Sequence, residues 1–130
     1  MPHIRIEYTP NLGETARIDS LCERVLATLV ALRNDAGEPV FPAGGTRVLA
    51  FAATHAAVGP GDNARGFMYV HLRVAPGRSA PVLAQAGNAV RDAVADHLER
   101  HRPAVPCRLT VQIDEGHPVF EGKAQFEPVG

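Results

Sequence analysis

At 130 residues, 45% of them hydrophobic, the chain is long enough to bury one real core and is most simply one domain. Its formal net charge of −1 argues against a general nucleic-acid binder, which needs a basic surface to neutralise phosphates. No apolar run approaches the roughly 20 residues of a membrane span, and the alternating start is unlike a secretory leader. Absence of Trp and a low aromatic content disfavour a platform for stacking bases. Cys22 and Cys107 stand alone with no CxxC spacing, so they read as reduced thiols packed as small hydrophobes in a cytoplasmic protein.

The first stretch, Met1-Pro2-His3-Ile4-Arg5-Ile6-Glu7, alternates apolar and polar residues and predicts a strand. Removal of Met1 would leave Pro2 with a free secondary amine held by that rigid element. An α-amino group titrates near pH 8, at about the reach of neutral chemistry. Burial and nearby cations would lower its value further and make it a usable general base. Met-Pro is also simply a permitted start.

Thr9-Pro10 breaks the strand, and Asn11 with Glu14 three residues on suggests a capped helix start. Ile18, Leu21, Cys22, Val25, Leu26, Leu29 and Leu32 recur at helical steps, which predicts a helix to about Arg33. The turn-rich segment from Asn34 to Gly45 leads to a second strand, Thr46 to Ala52. After Gly59-Pro60-Gly61-Asp62-Asn63 the order repeats. Gly66 to Val74 suits a strand, Ala75-Pro76-Gly77 a turn, and Ser79 caps a helix with Pro81 in its first turn. Val82, Leu83, Ala86, Val90, Val94 and Leu98 form its stripe, and Arg100, His101 and Arg102 suit its carboxyl end before Pro103 stops it. Cys107 to Ile113 predicts a fourth strand, ended by Gly116-His117-Pro118 and followed by a tail.

The expectation is an α+β fold made of α/β-type repeats: tandem βαβ halves, about 2–54 and 66–114, forming a four-stranded mixed sheet with two helices on one face. Val48, Leu49, Ala50 and Phe51 are apolar toward both faces, so oligomerisation is expected to cover the open one.

Two arginines stand at places suited to an anion. Arg47 begins the second strand after Gly44-Gly45, and Arg78 lies between Gly77 and the Ser79 cap, where a guanidinium and free backbone N–H groups can converge on a carboxylate. Either is also readable as a solvated surface charge. His97 and His101 have the i, i+4 spacing of a metal pair, but their place at a helix end favours dipole and solvent contacts. His3 and His71 read as structural. No nucleotide fingerprint or nucleophile elbow is present.

Met1-Pro2-His3, the doubled βαβ order, Phe41-Pro42-Ala43-Gly44-Gly45-Thr46-Arg47, Gly77-Arg78-Ser79 and His117-Pro118 resemble the 5-carboxymethyl-2-hydroxymuconate Δ-isomerase family. That family sits in the tautomerase superfamily with 4-oxalocrotonate tautomerase and macrophage migration inhibitory factor. The resemblance covers Pro2 to about His117. It implies a homotrimer, no metal or organic cofactor, and a small anionic dienol or 2-oxo acid as substrate. By position it implies Pro2 as the catalytic proton shuttle, with Arg47 and Arg78 catalytic and substrate-binding. The implied reaction is proton transfer in aromatic-acid (homoprotocatechuate) degradation, with no nucleic-acid or membrane partner. A tautomerase of another 2-hydroxymuconate or enol 2-oxo acid, and a trimeric protein with a vestigial pocket, are the competing expectations.

Overall fold

A computed structural model describes residues 2–61 and 63–129. Four strands, β1 (His3–Tyr8), β2 (Arg47–Ala52), β3 (Gly66–Val74) and β4 (Cys107–Glu115), form one sheet in the order β2-β1-β3-β4. The helices α1 (Ile18–Ala31) and α2 (Ala80–Arg100) make the two crossovers. Each crossover joins parallel neighbours, β1 to β2 and β3 to β4, while β1 and β3 meet antiparallel at the centre. The doubled βαβ expectation holds, and so does the placing of both helices against one sheet face.

Period-two alternation decides what is buried. Ile4 and Ile6 of β1 and Met68, Val70, Leu72 and Val74 of β3 are fully buried beneath the helices. Leu21, Val25 and Leu29 of α1 and Ala86, Val90 and Val94 of α2 fall at four-residue steps and close the same core. Arg24 of α1 meets Asp96 of α2 at 2.6 Å, and Arg100 reaches the same carboxylate at 2.9 Å, so a charged clasp joins the helices outside the core.

The start of α1 corrects one expectation. Asn11 does not cap it. Residues Pro10–Leu12 and Glu14–Ala16 form two short 3-10 turns, and Arg17, with φ 49° and ψ 60°, precedes the helix. The Asn11 amide instead donates to the carbonyls of Asn63 and Arg65, at 3.3 and 2.7 Å. Local spacing suggested a capping box, but a contact with a distant loop claimed the side chain. At α2 the expectation holds: Ser79 Oγ accepts from the Val82 amide at 3.4 Å.

The apolar residues of β2 divide between both sheet faces, as expected, while the rest of the open face is polar. In-register partners share a face, so Val48 and Ala50 point toward the core, against which they pack. Only Leu49 and Phe51, each 46% exposed, present large apolar groups outward on β2. Around them the face is polar. Arg5 sits 5.2 Å from the Phe51 ring centre, His71 meets Asp114 at 2.5 Å, and Tyr69 bonds to Gln112. No helix among the described residues is long and apolar enough to cross a membrane.

Candidate active site

The site is built from the head of β1. Pro2 is buried and has the parity of Ile4 and Ile6, on the helix side of the sheet. Its carbonyl accepts the Arg47 amide at 3.3 Å, the contact that starts the β1–β2 ladder. Met1, whose removal would free the Pro2 nitrogen, lies outside the described residues.

Arg47 reaches this position through a constructed turn. Phe41 is 1% exposed and anchors the segment in the core. Ala43–Gly45 then forms a short 3-10 turn, and the buried Thr46 donates its hydroxyl to the Pro42 carbonyl at 2.7 Å. The chain enters β2 with Arg47 opposite His3, its side chain exposed on the open face. Among the described residues its guanidinium has no hydrogen bond or ion pair.

Arg78 is held differently. Gly77, at φ 118°, makes a backbone excursion that side chains disfavour, and so turns the chain from β3 toward α2. The Arg78 guanidinium then donates from Nε to the Val40 carbonyl at 3.1 Å and from Nη1 to the Ala75 carbonyl at 3.3 Å. It lies 4.6 Å from the centre of the Phe41 ring. The expected convergence of this guanidinium with free helix N–H groups is therefore only partial. Two guanidinium nitrogens donate to carbonyls and the Val82 amide donates to Ser79, while Nη2 makes no hydrogen bond among the described residues. Because β3 runs antiparallel to β1, Ala75 and Arg78 lie at the same end of the sheet as Pro2. Thus Arg47 adjoins the chain start through the main chain, and Arg78 joins that end through the Val40–Phe41 segment.

Sequence reasoning missed a third cation. Arg73 faces His3 across β1 and β3, so Arg47, His3, Arg73 and Asp114 form one row over the open face. The available signal was the alternation of β3 together with its antiparallel pairing. Asp114 is engaged by His71, and Arg73 has no ion pair or hydrogen bond among the described residues. Its guanidinium instead covers the buried Gly116, where an added Cβ would lie 2.5 Å from Nε.

Other candidates resolve as structure. His97 is 2% exposed, not solvated as expected; its Nε2 lies 2.8 and 3.0 Å from the carbonyl oxygens of Ala16 and Arg17. It therefore ties α2 to the turn that starts α1, and the His101 ring lies tilted against it with centroids 4.5 Å apart. Burial pushes the thiols of Cys22 and Cys107 up from their ordinary values, as suits packed rather than reactive cysteines. No group of three His, Cys, Asp or Glu residues able to hold a metal occurs among the described residues. In the single chain a cleft of about 920 Å³ beside Gly66 and Cys107 is lined without Pro2. One of about 510 Å³ runs between α2 and β4, lined by Leu83, Gly87, Val111 and Ile113 among others.

Comparison with known proteins gives this geometry its setting. The family model described as 5-carboxymethyl-2-hydroxymuconate isomerase matches residues 2–125. A crystal structure of a 5-carboxymethyl-2-hydroxymuconate delta-isomerase superposes with a TM-score of 0.88 at 34% identity, covering 96% of this chain and 89% of that one. The Escherichia coli 5-carboxymethyl-2-hydroxymuconate Delta-isomerase is 25% identical over 123 residues, 95% of this chain and 93% of the relative. A fused 4-OT described as a symmetric trimer shares the fold at 17% identity and a TM-score of 0.58, covering 88% of this chain and 86% of that one.

Proposed function

Because the chain belongs to the 5-carboxymethyl-2-hydroxymuconate isomerase family and is an isomerase of the tautomerase fold, we propose that it ketonises 5-carboxymethyl-2-hydroxymuconate through the nitrogen of Pro2. The observation that carries this reading is the seating of Pro2. It heads an inner strand, is buried, and adjoins an arginine whose guanidinium has no partner among the described residues.

The chemistry follows from that seating. Once Met1 is removed, Pro2 presents a secondary amine. Burial penalises its charged form, and neighbouring guanidinium groups do the same, so the neutral base is favoured. The amine takes the proton of the 2-hydroxyl group. The electron pair moves through the diene, and the resulting prolinium returns one proton to C5. The product is the 2-oxo isomer with its remaining double bond conjugated to the ketone, and the molecular formula is unchanged. Arg47 and Arg78 bind carboxylates and stabilise the developing oxyanion. Preorganised cations in a site shielded from water contribute more to such a step than proton transfer alone.

A trimer fits the same reading. The fold relative described as a symmetric trimer supports it, and so do Leu49 and Phe51, left partly exposed on the open face of the single chain. The role belongs to the breakdown of an aromatic acid in the cytoplasm. The test is the loss of dienol absorbance on adding enzyme, combined with intact mass. Protein lacking Met1 should turn over the dienol, and protein bearing an extra residue before Pro2 should not. Equal rates from both forms would remove Pro2 from the mechanism.

A further inference from the structure

The substrate class just proposed carries three carboxylates: two belong to the muconate chain and one to the carboxymethyl branch. Arg47 and Arg78 supply two cations. We infer that Arg73 is a third substrate-binding residue and receives the carboxymethyl carboxylate, so that it sets the preference for a trianion over a dianion; this rests on the function proposed above.

Placement supports the assignment. Arg73 and Arg47 flank His3 on opposite sides and share the open face. Their Cα atoms are two strand spacings apart, about 10 Å, on either side of the start of β1, and the Arg73 guanidinium lies over Gly116 at the end of β4. Pro2, which delivers the proton, is the next residue. C5, which receives the proton, bears both the C6 carboxylate and the carboxymethyl branch, so two anionic groups leave the reacting carbon together and call for two cations beside it.

Availability supports it as well. The nearest acid in the row, Asp114, is held by His71 at 2.5 Å. Glu115 follows it with the opposite parity. Arg73 thus keeps its full donor set, with no ion pair or hydrogen bond among the described residues, in contrast to Arg78. It is nevertheless placed, because the guanidinium rests on Gly116, a buried glycine whose own amide is fixed to the Val74 carbonyl at 2.9 Å. Any side chain at 116 would occupy the space of that guanidinium.

The experiment compares full-length Arg73→Gln, Arg73→Lys and Gly116→Ala with the parent protein. Each is assayed on 5-carboxymethyl-2-hydroxymuconate and on 2-hydroxymuconate, which lacks the branch, with thermal melts as the check on folding. For the trianion, Arg73→Gln should lower kcat/KM by about 10- to 100-fold, the range of a charge-assisted hydrogen bond, mainly through KM. For the dianion it should change by less than about twofold. Arg73→Lys should recover part of the trianion loss, and Gly116→Ala should reproduce it in weaker form. An equal loss on both substrates, or no loss on either, overturns the assignment while leaving the proposed reaction standing. A parent protein that turns over neither dienol overturns both.

Discussion

Replacement of Arg78 by Met separates what its guanidinium does for the fold from what it does for a substrate. Met keeps an apolar stem over Phe41 and removes the charge with all of its donors. The bond to the Val40 carbonyl is half-buried and contributes about 1 kcal/mol, and the exposed bond to Ala75 about 0.5 kcal/mol. The guanidinium 4.6 Å from the Phe41 ring centre adds about 0.5–1 kcal/mol. The sum is about 2 kcal/mol. At this chain length that corresponds to a fall in Tm of about 8 °C, read by circular dichroism. Dienol turnover, measured well below the melting range, should fall by a larger factor, about 100-fold in kcat/KM, because the charge proposed to stabilise the oxyanion is gone. A Tm within about 2 °C of the parent would show that the three contacts do not stabilise the loop. A variant that melts low yet turns over normally would leave Arg78 as a strut and refute its part in catalysis.

Two further outcomes follow from the packing and the charges. At Gly66 an added Cβ would lie 2.3 Å from Leu12 Cδ2 and 3.2 Å from Thr9 Oγ1, so Gly66→Ala should destabilise by about 1–3 kcal/mol in a urea titration; an unchanged midpoint would show that Leu12 yields freely. Arg24, assisted by Arg100, holds the Asp96 carboxyl below its ordinary value despite the opposing effect of desolvation. A depressed folded-state value means stability that is present above the unfolded value near 3.8 and lost as pH falls through the folded one. Asp96→Asn should therefore differ from the parent at neutral pH and converge with it in acid. A difference independent of pH would place the effect in packing instead.

The order of elements was legible because both periods are clean. Ile4 and Ile6 alternate, Leu21, Val25 and Leu29 recur at helical steps, and each half carries the same sequence of signals. Ser79 was legible as a cap because its partner is three residues away. Asn11 was not, because its partners lie in the loop around Arg65 and only the folded chain brings them near. The same distinction divides the site. Arg47 and Arg78 stand near glycines at element boundaries, where spacing suits an anion and the family resemblance singles them out. Arg73 lies inside a strand, and its significance depends on antiparallel pairing with His3 and on Gly116 beneath it. Arg78 was placed correctly at its turn, but its two carbonyl partners were invisible, since they come from a loop far back in the chain and from the turn itself.

The central position of β1 also orders events during synthesis. His3, at its head, is synthesised well before its neighbours on the two sides, Arg47 and Arg73. Until then β1 has no strand to pair with. The inner strand is therefore enclosed from both sides only after more than half of the chain has been made.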